Sequence, residues 1–139
     1  MNIIINEKVI INNVTIEDIY ATFEGLPENT CIPVILENGD DYVQALSSRK
    51  AGVIEARFYE GDSFRHFRGK NITEDRSLAV LNGHTDSPIT VQKKNILSTQ
   101  TMRIVFTDFY RCKELSSCLI WDDVTQEFDD EHLIDEFRT

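Results

Sequence analysis

Cys31-Ile32-Pro33-Val34-Ile35-Leu36-Glu37-Asn38-Gly39-Asp40-Asp41-Tyr42-Val43-Gln44-Ala45-Leu46 is the stretch from which the fold follows. An apolar run at 31–36 meets Asn38-Gly39-Asp40-Asp41, and a second run, 42–46, follows at once. Asn-Gly between two such runs is a strong hairpin signal, because glycine takes positive φ without steric cost. The pattern repeats downstream. Residues 52–59 alternate, with Ile54, Ala56 and Phe58 on one face and Glu55, Arg57 and Tyr59 on the other. Glu60-Gly61-Asp62-Ser63 turns the chain, and residues 64–68 return. With Gly61-Asp62 as the tip, Tyr59 faces Phe64 and Arg57 faces His66. The expectation is an antiparallel meander with one apolar and one mixed face.

Working outward, residues 3–11 are rich in isoleucine and valine and read as a strand bent at Asn6-Glu7. Thr15 and Asp18 have capping-box spacing, and Ile16, Ile19, Tyr20 and Phe23 form one helical stripe. Gly25 and Pro27 end that helix. Residues 77–81 read as a strand closed by Asn82-Gly83. Residues 90–110 carry both signals: Thr90 suits a helix cap, with Leu97, Thr101, Ile104, Val105 and Phe109 on one side, while Ile104-Val105-Phe106-Thr107 is strand-like. About twenty residues without Gly or Pro is long for a strand, so length favours a helix. Leu119-Ile120-Trp121 reads as a last strand, and Val124, Phe128, His132, Leu133 and Phe137 fall near helical spacing over 123–137. The expected fold class is α+β: an antiparallel sheet of five to seven strands with two or three helices packed on it. A single domain spans 1–121, and 122–139 is an acidic C-terminal helix or tail.

The chain has 139 residues, enough for one core. Its 24 acids against 14 bases leave a net charge of −10. Residues 122–139 hold eight acids (Asp122, Asp123, Glu127, Asp129, Asp130, Glu131, Asp135, Glu136) and one base, Arg138, a net of −7. The other 121 residues are close to neutral. Such asymmetry signals a partner more than a fold. These acids, with Phe128 among them as an apolar anchor, are the candidate docking residues for a basic protein.

Other chemistries lack their motifs. Neither G-x-x-x-x-G-K-[ST] nor G-x-G-x-x-G occurs, nor a G-x-S-x-G elbow. Cys112 and Cys118 are six apart, and His66, His84 and His132 are scattered, unlike the close ligand pairs of structural zinc. Asn82-Gly83-His84-Thr85-Asp86 sets a histidine near an acid, a pattern a locally bonded turn explains. Arg65-His66-Phe67-Arg68 beside Arg57 and Tyr59 interleaves bases with aromatics, but a net of −10 opposes a polyanion at long range. The arginines are expected to pair with nearby acids such as Glu55 and Glu60. No catalytic residue, metal or cofactor is expected, and neither nucleic acid nor membrane as partner. Met1–Glu7 lacks a signal-peptide pattern, and the three cysteines suit a reducing compartment, so the expected location is cytoplasmic.

Residues 33–45, followed by Gly52-Val53-Ile54-Glu55-Ala56-Arg57-Phe58, resemble two early strands of a family of small cytoplasmic bacterial immunity proteins. These protect cells from contact-dependent or polymorphic toxins, and in them an aromatic and a glutamine follow a Gly-Asp turn, as Tyr42 and Gln44 do here. Residues 106–110, followed by Leu119-Ile120-Trp121, resemble that family's helix and closing tryptophan. The resemblance spans about residues 30–122. It implies an α+β fold, no catalysis, and a monomer that binds a cognate toxin domain one to one, often a nuclease. An adaptor or regulatory protein with the same acidic surface is the alternative, and a small enzyme with an assembled Cys/His site the second alternative.

Overall fold

A computed structural model of the chain describes residues 1–71, 75–83 and 88–128. At the N-terminus, β1 (Asn2–Ile5) reverses through Asn6 and Glu7, both at positive φ, into β2 (Val9–Ile11). The expected kink is a full turn, so the single bent strand is a hairpin, with Ile3 opposite Ile11. Next comes α1 (Ile16–Glu24), whose capping box forms as its spacing predicts. The Thr15 hydroxyl accepts from the Asp18 amide at 3.2 Å, and the Asp18 carboxylate accepts from the Thr15 amide at 2.9 Å. Of its stripe, Ile19 and Phe23 are buried, while Tyr20 is exposed.

The meander follows: β3 (Ile32–Asn38), β4 (Asp41–Ser47), β5 (Ala51–Glu60) and β6 (Ser63–Lys70). Asn38 pairs with Asp41 and Glu60 with Ser63, so both tips are two-residue turns. Their first residues, Gly39 and Gly61, sit at φ 63° and 60°, where a Cβ is strained. Tyr59 lies opposite Phe64 and Arg57 opposite His66, the expected register.

Residues 90–110 depart from the helix expected there. β7 (Leu78–Asn82) pairs with β8 (Pro88–Gln92) as a separate two-stranded ribbon. A 3-10 turn at Lys93–Asn95 and the two-residue β9 (Leu97–Ser98) come next, and only then α2 (Thr99–Cys112). Thr90 is a strand residue opposite Val80, and the cap is Ser98, whose hydroxyl accepts from the Thr101 amide at 3.2 Å. The β-branched run Ile89-Thr90-Val91 found a strand partner, which local periodicity cannot reveal. Asn95 ties the connection down by donating its side-chain amide to the Gly69 carbonyl at 3.0 Å.

The last strand, β10 (Ile120–Asp123), begins and ends later than expected and pairs with β6. The fold is α+β. Among the described residues the main antiparallel sheet has eight strands, running β10-β6-β5-β4-β3-β1-β2 with β9 on β5, and two helices pack on it. The helices cover one face, where Ile3, Val34, Leu36, Val43, Ala45, Ile54 and Ala56 meet Ile19, Phe23, Met102, Val105, Phe106 and Phe109. Phe23 and Phe106 meet edge to face at 4.9 Å. Gly69 belongs to this face because a Cβ there would lie 2.7 Å from Ile54 Cγ2 and 2.9 Å from Leu119 Cδ1. Among the described residues, no helix is long and apolar enough to cross a membrane.

Candidate functional site

Strand alternation sends Glu55, Arg57, His66 and Arg68 to the sheet face away from the helices. That face is charged, and the end of the described chain lies on it. Beyond β10, Val124 donates its amide to the His66 carbonyl at 2.9 Å, and the His66 amide donates to the Thr125 hydroxyl at 2.9 Å. A 3-10 turn, Thr125–Phe128, then packs against β6. This is the described part of the expected 123–137 helix, and it takes the tighter form. His132, Leu133 and Phe137 lie outside the described residues.

The candidate docking acids separate accordingly. Asp122 meets Lys70 Nζ at 3.0 Å, with Lys94 Nζ at 3.9 Å. Asp123, next along the strand, points the other way and accepts from Arg65 at 3.2 Å. Hydrogen bonds from the Thr125 hydroxyl and amide, then from Arg65, hold its carboxyl below the usual range. Glu127 takes Arg68 in a two-pronged pair at 2.9 and 3.4 Å. Phe128 packs 4.3 Å from the His66 ring and 6.2 Å from Phe64, with the Arg57 guanidinium 4.7 Å from its centroid. Asp122, Asp123, Glu127 and Phe128 therefore fasten the chain's end to the sheet. Asp129, Asp130, Glu131, Asp135 and Glu136 lie outside the described residues.

Under Phe128 the protonation state of a buried histidine follows from its partners. Arg57 Nε donates to His66 Nδ1 at 3.0 Å. A guanidinium cannot accept, so Nδ1 carries no proton. His66 Nε2 then donates to Glu55 Oε1 at 2.6 Å. The ring is neutral and oriented from both sides. Burial pushes the Glu55 carboxyl up, but the His66 bond and the Arg68 charge outweigh it, and Glu55 ends below the usual carboxylate range. Arg68 spans two acids, lying 3.5 Å from Glu55 and 2.9 Å from Glu127. Glu55 is paired as expected of the arginine-rich strip; Glu60 instead accepts the Ser63 hydroxyl through its carbonyl at 3.0 Å.

Beside this network is a cavity of about 610 Å³ between the open sheet face and the β7–β8 ribbon. Leu46 and Val53 of the sheet, Leu78 and Ile89 of the ribbon, and Val124 give it apolar walls. Glu55, Asp122, Glu127, Arg68 and Lys94 supply its charges.

A second acidic feature comes from the turns. In an antiparallel meander alternate turns share one end, so Asp40 and Asp41 lie near Glu60 and Asp62. The Tyr59 amide donates to Asp41 Oδ1 at 2.8 Å and ties the two tips together. Phe64, where β6 leaves this end, touches Phe128, so the last described residue lies at the same end. The residues were visible in the sequence as turn residues; their gathering follows only once strand order is known.

The one histidine among the described residues, His66, bonds Arg57 and Glu55 and no thiol. Cys31 is buried, its thiol pushed up by burial and 3.8 Å from the Ala51 carbonyl, while Cys112 and Cys118 are exposed. Among the described residues no three His, Cys, Asp or Glu side chains cluster to hold a metal. His84 and Asp86 lie outside them. Compared with protein-family models and with curated proteins, the chain matches none.

Proposed function

We propose that this chain is an immunity-type inhibitor that binds a basic toxin domain, often a nuclease, and occludes its active site. The observation that carries the reading is the gathering of negative charge at one end of the sheet. The turn acids Asp40, Asp41, Glu60 and Asp62 stand at the end of the sheet where Phe128 packs on Phe64, and the sequence after Phe128 adds five acids against one base, a net of −4 over residues 129–139. A row of carboxylates is the complement of a cleft built to hold phosphates, and such complementarity accelerates encounter. Phe128 and the neighbouring cavity offer the apolar contact that charge alone does not. The location that goes with this reading is the cytoplasm, and the complex is one to one.

Because Asp122, Asp123 and Glu127 are committed to Lys70, Arg65 and Arg68, they are poor places to test steering. Asp40, Asp62, Asp129, Asp130 and Glu131 are better ones. The protein would be tagged, expressed in its host and eluted with rising salt, and the basic partner recovered would then be used in stopped-flow mixing. Neutralising those five acids should slow association by about tenfold or more while changing dissociation little. Association indifferent both to salt and to those substitutions would overturn the reading.

A further inference from the structure

Alternate turns of the meander share one end of the sheet, so the β4–β5 connection lies at the end opposite the acidic tips. A cavity of about 390 Å³ opens there, lined by Phe23 and Glu24 of α1, Arg49 of that connection, and Thr99 and Arg103 of α2. Its charges do not balance. Two guanidiniums stand against one carboxylate, and Glu24 reaches Arg103 only at 3.9 Å, from a side chain 73 % exposed. Lys50, next to Arg49, has its own acid in Glu28 at 3.7 Å, whereas Arg49 has no ion pair among the described residues.

Arg49 is nonetheless held in place. Its amide donates to the Pro27 carbonyl at 2.7 Å, and its carbonyl accepts from the Thr99 hydroxyl at 2.6 Å. Its Nε donates to the Leu26 carbonyl at 3.1 Å, which fixes the guanidinium and leaves the Nη donors without a partner among the described residues. Arg103 is oriented by the Tyr20 ring, whose centroid lies 5.5 Å from its guanidinium carbon.

We propose that this cavity binds a phosphate group, as the dianion of a small monoester or of free phosphate. Arg49 and Arg103 donate to its oxygens, and Glu24 gives up Arg103 and turns to solvent. Guanidinium forks match phosphate oxygens in geometry. Two of them match two negative charges, which selects the dianion over a carboxylate. The volume leaves room beside Phe23 for the group that carries the phosphate. This site is independent of the inhibitor reading, whose turn acids lie at the other end of the sheet.

The intact protein would be titrated with sodium phosphate in place of chloride at constant ionic strength, at about pH 8 where the dianion prevails. The arginine Nε–Hε resonances would be followed by NMR. Those of Arg49 and Arg103 should shift with half-saturation on the order of 10 mM, as befits so small a ligand at an open site. Acetate should bind at least about fivefold more weakly. Arg49→Gln should weaken phosphate by about fivefold or more. Arg65→Gln, which removes the same charge near the opposite end, should change it by less than about twofold. Glu24→Gln removes the competing carboxylate and should tighten phosphate by about two- to fivefold, a gain that misfolding cannot produce. Phenyl phosphate binding more tightly than inorganic phosphate would point to a monoester as occupant, and equal binding to the free ion. Resonances unmoved by phosphate, acetate binding as well as phosphate, equal losses in Arg49→Gln and Arg65→Gln, or no gain from Glu24→Gln would overturn the site.

Discussion

The two faces of the central sheet are made by the same strands and differ in kind. On β5, Ile54 and Ala56 point to the helices and are fully buried, while Glu55 and Arg57, their immediate neighbours, point to a charged face. The helix face is held by area and close packing, which are non-directional and tolerate no void. The open face is held by partners with fixed donor and acceptor roles: Arg57 to His66, His66 to Glu55, and Arg68 to Glu55 and Glu127. The first face specifies that the chain folds. The second specifies where its last described turn lies.

The sharpest way to break this contrast is to truncate the centre of the apolar face. Phe106 is fully buried and meets Phe23 edge to face. Phe106→Ala should cost about 3–5 kcal/mol, the transfer term plus an unfilled cavity. Urea unfolding followed by Trp121 fluorescence would measure it, and a loss below about 1 kcal/mol would mean the helices do not depend on this contact.

On the open face the expected losses are smaller and depend on pH. Glu55→Gln removes the carboxylate that His66 and Arg68 both use, for an expected cost of about 1–3 kcal/mol near neutrality. The sign follows from the direction of the shift. The folded state holds Glu55 ionised more strongly than the unfolded chain does. Its contribution is therefore fully present above the unfolded carboxyl value of about 4.3 and is lost as pH falls through the lower, folded one. The parent and Glu55→Gln stability curves should converge in acid. Parallel curves down to about pH 3 would show that the carboxylate is not what the network holds.

His66 sharpens the point by separating charge from hydrogen bonding. A neutral imidazole that accepts at one nitrogen and donates at the other is imitated by a glutamine side chain. His66→Gln should keep most of the stability, whereas His66→Leu removes the donor to Glu55 and the acceptor for Arg57 and should lose about 1–3 kcal/mol. Equal losses in the two variants would mean that ring packing against Phe128 outweighs both bonds.

These differences also explain what the sequence made legible. The meander was readable because its signals are local: Asn-Gly and Gly-Asp tips, and alternation in Ile54-Glu55-Ala56-Arg57. The helix cap at Thr15 was readable for the same reason. Residues 88–98 were misread because β8 is a strand only by virtue of β7, and Ser98 outcompetes Thr90 as a cap only after the ribbon has taken Thr90. The site was legible in one half. Register placed Arg57 opposite His66, but no spacing in the sequence brings Glu127 to Arg68 or Phe128 to His66, both of which depend on β10 pairing with β6. The surplus of acids near the C-terminus was plain. That Asp122, Asp123 and Glu127 are spent on internal bases was not, because their shortest-range ion-pair partners, Lys70, Arg65 and Arg68, all sit on β6, more than fifty residues earlier.

The smallest expected effect bounds how much of the open-face energetics is charge alone. Lys50 and Glu28 form an ion pair at 3.7 Å with both side chains more than 60 % exposed. No hydrogen-bonded ring or buried carboxylate belongs to that pair, and water screens it from all sides. Glu28→Gln should shift stability by about 0–0.5 kcal/mol, and the shift should vanish in about 0.5 M salt. Glu55→Gln under the same salt should keep most of its loss, because its partners reach it by hydrogen bonds in a half-buried place. If salt erased both losses alike, the His66 network would be a set of surface ion pairs, and the fixed seat of Phe128 would need another cause.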